Sequence, residues 1–311
     1  MRSKYKLIIC TLLLVFTALF LYGFNYSNNL EILHIKESNY AKNIPEATNE
    51  ASSSVIEVPW KNDKLFREKQ QQHCAFVQMA AYKTVLQDSL PGEKNNFHLA
   101  ARLLQGTVVE PGQVFSQNKA IGPYTYEKGF QDGTMYIGSQ LIPRAGGGVC
   151  KMATTLYNVA VLCNLPIMER HSHSMPVTYV PYGQDATVSY GAKDLKFKNN
   201  TSFPILIWAQ GIDNNLYVGF YGTNEPSRVE WHHKTLKEIK TYTIYRNNDN
   251  LTGGSEKVVN EGMDGAVVKS WICINASGGA KQIKQLGISY YNPMPCIIEK
   301  GTASIPANSE E

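Results

Sequence analysis

The chain has 311 residues, 43% hydrophobic and 18% charged, a length that fits two folded domains. Thirty Lys and Arg against 26 Asp and Glu leave a formal charge of +4 with no basic run, so nothing here marks a nucleic-acid binder, and any bias toward anionic surfaces is slight. No P-loop, dinucleotide fingerprint or internal repeat is present, and the six cysteines are too scattered for a disulfide framework.

Arg2, Lys4 and Lys6 precede an apolar run from Leu7 to Phe24 that is long enough to span a thin bilayer and is followed by no A-x-A cleavage site. Residues 1–24 are therefore expected to be an uncleaved signal anchor in the cell membrane, a single pass with the rest of the chain on the extracellular side. Residues 25–65 are polar and poor in large apolar side chains, as in a flexible spacer. A first domain is expected over 66–226. Its opening part, Leu65 to Leu104, reads as helical and should pack on a sheet. His73 and Cys74 are neighbours and point in different directions on a helix, and no second pair stands at ligand spacing, so neither a metal site nor a cofactor is expected.

The chemistry concentrates around Cys150. It follows Gly146-Gly147-Gly148-Val149 and opens an apolar helix whose stripe runs through Val149, Met152, Leu156, Val159, Ala160 and Cys163, with Cys150 off the stripe. A thiol at a helix N-terminus lies at the positive end of the backbone dipole among unpaired N–H groups, which favours its thiolate and any oxyanion formed beside it. Gly147 and Gly148 would let a substrate backbone come close. Arg144, just upstream, has the fork to bind a substrate carboxylate. Asn164-Leu165-Pro166 ends the helix, and His171 and His173 follow, two residues apart and able to share one strand face.

Beyond the histidines the pattern turns to strands, at Pro176–Val180, Asp185–Val188, Leu195–Phe197, Pro204–Trp208 and Leu216–Phe220. A helix-borne Cys, then a strand-borne His, then an Asp is the chain order of papain-like and transglutaminase-like acyltransferases. His173 is the preferred base, with His171 lining the same wall. Two carboxylates are candidates to orient it. Asp185, in a simple hairpin turning near Tyr182, pairs near Tyr179 and is too far from His173 at about 3.3 Å per residue, whereas Asp194 comes nearer in that register. Either is equally suited to capping a turn.

The runs GTVVEPGQVFSQNKAIGP, GGGVCKMATTLYNVAV, ERHSHSMPVTYVPYGQDATV and DLKFKNNTSFPILI resemble the motifs of the VanW family over residues 75 to 225. The family usually has Gln after the cysteine, where this chain has Lys151. The resemblance implies an accessory protein of glycopeptide resistance or a peptidoglycan L,D-transpeptidase using Cys150, with His173 at the family's His-Ser position. From residue 227 to 303 the chain alternates polar and apolar residues and carries VVNEGMDG and a closing Gly301-Thr302, similar to the glycine-punctuated G5 module proposed to bind wall glycans. Such a module would tether the enzyme and be dispensable for turnover of a small soluble peptide. Cys273 and Cys296 are close enough in sequence for one bridge and equally compatible with free thiols. Residues 304–311 form a tail.

The expected fold is α+β: the Cys helix packed on an antiparallel sheet, as in thiol acyltransferases, followed by a small all-β module. The expected partners are peptidoglycan stem peptides and glycan, and the membrane through the N-terminal helix. Three functions remain open: a transpeptidase forming cross-links through a Cys thioester, a carboxypeptidase or hydrolase with water as acceptor, and a noncatalytic wall-binding or resistance accessory protein.

Overall fold

The computed structural model describes residues 56–86, 91–137, 140–275 and 281–303. The expected membrane helix, residues 25–55 of the spacer and the tail lie outside the described residues. Among the described residues no helix is long and apolar enough to cross a membrane.

The chain is mostly β-sheet with few helices. Helix α1 (Lys64–His73) is capped by Asp63, whose carboxylate accepts from the Phe66 N–H at 2.8 Å, and it buries Phe66 against Trp60, Trp208 and Tyr221. Trp60 is itself buried and donates its indole N–H to the Tyr221 hydroxyl at 2.7 Å, so the end of the expected spacer is part of the folded body. The segment Leu65 to Leu104, expected to be helical, holds two helices and also a strand: β1 (Val77–Val85) lies between α1 and α2 (Pro91–Leu104). Its run Met79-Ala80-Ala81 is buried, and the pairing it gains in a sheet outweighs the helical preference of alanine.

Next come the short strands β2 (Thr107–Val109) and β3 (Val114–Ser116), the single-turn α3 (Gln117–Ala120) and the hairpin of β4 (Asp132–Ile137) with β5 (Gln140–Ala145). Helix α4 (Cys150–Leu162) follows, then β6 (Ile167–Glu169), β7 (Lys196–Lys198), β8 (Ile205–Ile212) and β9 (Asn215–Gly222). The central sheet has the antiparallel order β1-β9-β8-β2, and a second sheet has the order β3-β7-β6. Helices α2 and α4 both pack on the central sheet.

Helix α4 differs from the one-faced helix expected, because every residue from Met152 to Leu162 is buried. A second layer covers the face turned away from the sheet. The C-terminal strands are β10 (Arg228–Ile239), β11 (Thr243–Thr252), β12 (Glu256–Asn260), β13 (Gly265–Asn275), β14 (Lys281–Tyr291) and β15 (Cys296–Ala303), and of these β10 and β13 supply part of that layer. The C-terminal strands form two sheets, β10-β13-β14 and β11-β15-β12, the latter with β11 and β15 parallel. Val229 and Trp231 of β10 and Ile272 and Ile274 of β13 belong to the same apolar core as α4, and the Trp231 ring meets Tyr157 edge-on at 5.4 Å. The β10-β13-β14 sheet is thus packed into the body of the protein. Cys273 and Cys296 are free thiols, as are Cys74, Cys150 and Cys163.

The helix ends as its sequence dictates. Asn164 takes the left-handed conformation (φ 54°), and the N–H groups of Leu165 and Asn164 bond back to the carbonyls of Ala160 and Val161, closing a Schellman motif before Pro166. The segments Pro176–Val180 and Asp185–Val188, expected as strands, lie outside any sheet; one bridge, His171 with Thr187, is their whole contribution. Side chains satisfy this backbone where a ladder would have done so. Thr154 bonds both the Ala186 carbonyl and the Ala186 N–H, Asn158 donates to the Gln184 carbonyl, and Arg170 donates to the Asp185 carbonyl.

Candidate active site

The glycine run makes the turn that aims Cys150. Gly146 and Gly148 sit at φ 81° and 95°, where a side chain would be strained. Gly147 is pressed against Gly133 of β4: a Cβ on Gly147 would lie 2.1 Å from the Gly133 carbonyl oxygen. The Asn96 side chain of α2 donates to the Gly147 carbonyl at 2.8 Å. The close backbone approach that Gly147 permits is therefore made within the protein, to its own strand, while the three glycines together form one edge of a cleft.

That cleft, about 730 Å³, is walled by Cys150, Lys151, His173, Tyr124, Tyr179, Thr187, Tyr190 and Met263 among others. Cys150 is half-buried at its floor. Its sulfur lies 3.3 Å from the Thr187 hydroxyl and accepts from the Val188 N–H at 3.5 Å. It is also hydrogen-bonded to His173. His173 Nδ1 lies 2.6 Å from Asp185 Oδ2, which accepts from the His173 backbone N–H at the same distance. An ionised carboxylate only accepts, so Nδ1 carries the proton and Nε2 is left to face the thiol.

Asp185 thus reaches His173 directly, contrary to the hairpin expectation. The segment between them loops over α4, and chain length along a strand does not govern the distance. The same carboxylate, 1% exposed, binds Arg170 at 2.8 Å and accepts from the Tyr291 hydroxyl at 2.5 Å. The charges are mutually consistent. Burial works to raise Asp185, but the His173 hydrogen bond and the Arg170 charge hold it below its usual value. Burial works to lower His173, yet its bonds to Asp185 and Cys150 push it up to about 9. For Cys150, burial opposes ionisation and is outweighed by His173, Thr187 and Val188, leaving the thiol below its ordinary value. A thiolate beside an imidazolium is the favoured state.

Other expected site residues lie elsewhere. His171 is half-exposed and pairs with Glu169 at 3.1 Å, and Glu169 also binds Lys196. Its ring has no part in the cleft wall, so the shared face expected of i and i+2 residues fails with the absence of a strand. The carboxylate of Asp194 accepts from the Ser116 hydroxyl at 2.5 Å and the N–H groups of Asn118 and Leu195; it caps α3 and has no bond to His173. Arg144 is exposed on β5 and borders a separate depression with Tyr126, Ile142 and Pro143. The buried arginine at the site is Arg170, a residue that no sequence pattern singled out. Lys151 makes an ion pair with Glu93 of α2 at 2.8 Å, and Glu93 also accepts from the Thr134 N–H. Among the described residues no three His, Cys, Asp or Glu side chains converge to hold a metal ion.

Comparison with known proteins finds similarity across the region that carries this site. Residues 92–221 match the family model described as VanW like protein. YoaR of Bacillus subtilis is 34% identical over 152 residues, 49% of this chain and 50% of the relative. The vancomycin B-type resistance protein VanW of Enterococcus faecalis is 29% identical over 139 residues, 43% of this chain and 50% of the relative. The chain spans about half the length of these relatives. A solved IgA1 protease G5 domain is 23% identical, covers 26% of this chain and 99% of its own, and superposes with a TM-score of 0.17. The G5 region of HP0197 is 17% identical and covers 24% of this chain and all of its own at 0.15. The stretch matched by the VanW-like family model, residues 92–221, encloses Cys150, His173 and Asp185.

Proposed function

We propose that this chain is a cysteine acyltransferase of the cell wall, an L,D-transpeptidase held at the outer face of the membrane by its N-terminal apolar segment. The observation that carries the reading is Cys150, His173 and Asp185 joined in sequence within one peptide-sized cleft. The Cys150 thiolate attacks the carbonyl carbon between the third residue of a stem tetrapeptide and its terminal D-Ala. The C–N bond breaks, His173 Nε2 gives its proton to the leaving amine, and a thioester remains. An amine on a neighbouring stem then attacks the thioester. Its proton passes to His173, and the thiolate is restored as the cross-link forms.

Asp185 fixes the imidazole with Nε2 toward sulfur and stabilises the imidazolium. The N-terminal turn of α4 offers partial positive charge to the tetrahedral oxyanion. No residue of the cycle changes oxidation state. The thiol acyltransferase-like arrangement of helix and loop belongs to this reading, as does recognition of wall glycan by the C-terminal strands. The test is incubation of the purified chain with a disaccharide-tetrapeptide, with products read by mass spectrometry. Cross-linked dimer supports the proposal, a shortened tripeptide makes the enzyme a carboxypeptidase, and unchanged substrate favours a noncatalytic accessory role.

A further inference from the structure

The catalytic loop rests on the C-terminal sheet. Residues 171–188 lie outside any sheet, and besides α4, Arg170 and their own His171–Thr187 bridge they are held by β10, β13 and β14 and the turns beside them. The Asn292 N–H donates to the Ser174 carbonyl, next to His173, at 2.8 Å. The Gly183 N–H donates to the Tyr291 hydroxyl at 2.7 Å, and Tyr182 stacks on the Tyr291 ring at 5.1 Å and donates to the Asp264 carbonyl at 2.6 Å. Gln184 bonds His233, which is bonded in turn to Ser270. Arg170 donates to the Ser289 hydroxyl at 2.7 Å. Tyr291 is 1% exposed, so its hydroxyl is held between the Gly183 N–H and the Asp185 carboxylate away from water.

We propose that Tyr291, at the end of β14, is a positioning residue for the thiol site: it holds Asp185 Oδ1 so that Oδ2 stays on the line to His173 Nδ1. The proposal rests on the reading that Cys150 and His173 form a reactive pair. A carboxylate with two oxygens and one imidazole partner is free to rotate about its Cβ–Cγ bond. Here Arg170 and Tyr291 share Oδ1, while the ring and backbone N–H of His173 share Oδ2, so each oxygen is assigned. The groups facing the carboxylate are His173, Arg170 and Tyr291, with the Tyr157 ring 5.2 Å from the Arg170 guanidinium. Those facing the thiol are His173, Thr187 and the Val188 backbone, with the Tyr124 and Tyr179 hydroxyls within electrostatic reach from the cleft wall. Tyr291 reaches the sulfur only through Asp185 and His173. On this proposal the C-terminal region contributes to the site as well as to the core, and its removal would alter the reactivity of the thiol.

The test is the pH dependence of Cys150 alkylation by iodoacetamide in the full chain, followed by mass spectrometry of the Cys150 peptide. This readout needs no stem-peptide substrate, so a failure of the transpeptidase reading leaves it intact. Tyr291→Phe should raise the midpoint by about half to one pH unit and slow alkylation at neutral pH about three- to tenfold. Tyr290→Phe, at the exposed neighbouring position, should match the parent. A profile for Tyr291→Phe that superposes on the parent's, or that moves down, overturns the proposal. A lowered Tm with an unmoved midpoint does the same, because that is the signature of a purely structural role. Should Tyr291→Phe fail to fold, Ser289→Ala decides by the same measurement. It frees the Arg170 fork from β14 and should raise the midpoint by a smaller amount, and an unmoved midpoint there overturns the proposal.

Discussion

The two halves of the candidate site are built in opposite ways. Cys150 sits on a glycine turn and a fully buried helix, so its direction is set by the turn and helix that carry it, with Gly133 and Asn96 bracing the turn. His173 and Asp185 sit on an irregular segment whose geometry comes from Arg170, Thr154, Asn158 and residues more than a hundred positions away on β14. The nucleophile is locally encoded and its partners are not. A thiol needs a rigid base and an unpaired helix end. An imidazole needs two partners at once, one for each nitrogen, and in this fold a loop carries them to it.

The largest effect should fall on the local half. Cys150→Ala should abolish product and Cys150→Ser should nearly do so, since the thiolate is the attacking species. Circular dichroism should show an unchanged fold, because the side chain is small and half-buried at the cleft floor. Full activity in the alanine variant ends the enzyme reading.

On the distal half, His173→Ala should cost at least about a hundredfold in rate, the scale of general-base contributions, and His171→Ala much less. His171 spends its ring on Glu169, outside the cleft. The reverse ranking in steady-state assays would move the base to His171. Asp185→Ala should do further damage by leaving Arg170 buried without its counter-ion. Breaking a buried pair in this way typically costs about 3–5 kcal/mol, measurable by urea denaturation.

Legibility in the sequence follows the same division. The Cys150 helix, the strands around Ile205–Ile212 and Asn215–Gly222 and the β-rich C-terminal region were readable because apolar periodicity and chain termination are local properties. Strand β1 was not, because Met79-Ala80-Ala81 suits a helix until a sheet edge offers it partners. Pro176 to Val188 imitates strands by its alternation, but its prolines remove donors and side chains from α4 take up its backbone groups. That misreading moved Asp185 away from His173 and favoured Asp194. Arg170 and Tyr291 carried no signal of a place at the thiol site; Tyr291 reads from sequence only as a candidate glycan-binding aromatic, with Trp271 and Tyr290. A lone arginine beside two histidines and one of two adjacent tyrosines acquire roles only through contacts 15 and 106 residues away in sequence.

The glycine turn gives a stability test of the locally encoded half. Gly147→Ala forces a Cβ against the Gly133 carbonyl, and overpacking of this kind costs about 1–3 kcal/mol. Thermal unfolding should register it as a lowered Tm, and a neutral result would mean that β4 yields easily. The turn would then be less rigid than the contrast with the loop requires.

The pH profile tests whether the two halves act as one pair. His173, raised to about 9, holds its proton below that value, and the Cys150 thiol, below its ordinary value, is ionised above its own midpoint. Acyl transfer should therefore fall on the acid side as the thiolate is protonated, and on the alkaline side near 9 as the imidazolium loses the proton owed to the leaving amine. Stability follows the same signs. The His173 contribution is complete below its unfolded value near 6.5 and is lost as pH rises through about 9. An alkaline limb near 6.5 would show that Asp185 does not support the imidazolium.

The smallest effect is expected at Arg144, and it sharpens the contrast from outside. Its fork and its place beside the glycines made it the natural anchor for a substrate carboxylate. The structure leaves it exposed on β5, beside Tyr126 and away from the cleft wall. Arg144→Ala should accordingly change kcat/KM by no more than about twofold, as for a surface charge with no fixed partner. A loss of tenfold or more, carried by KM, would mean that the substrate runs past the glycine turn onto the β4–β5 hairpin. The locally encoded half would then bind the peptide as well as attack it.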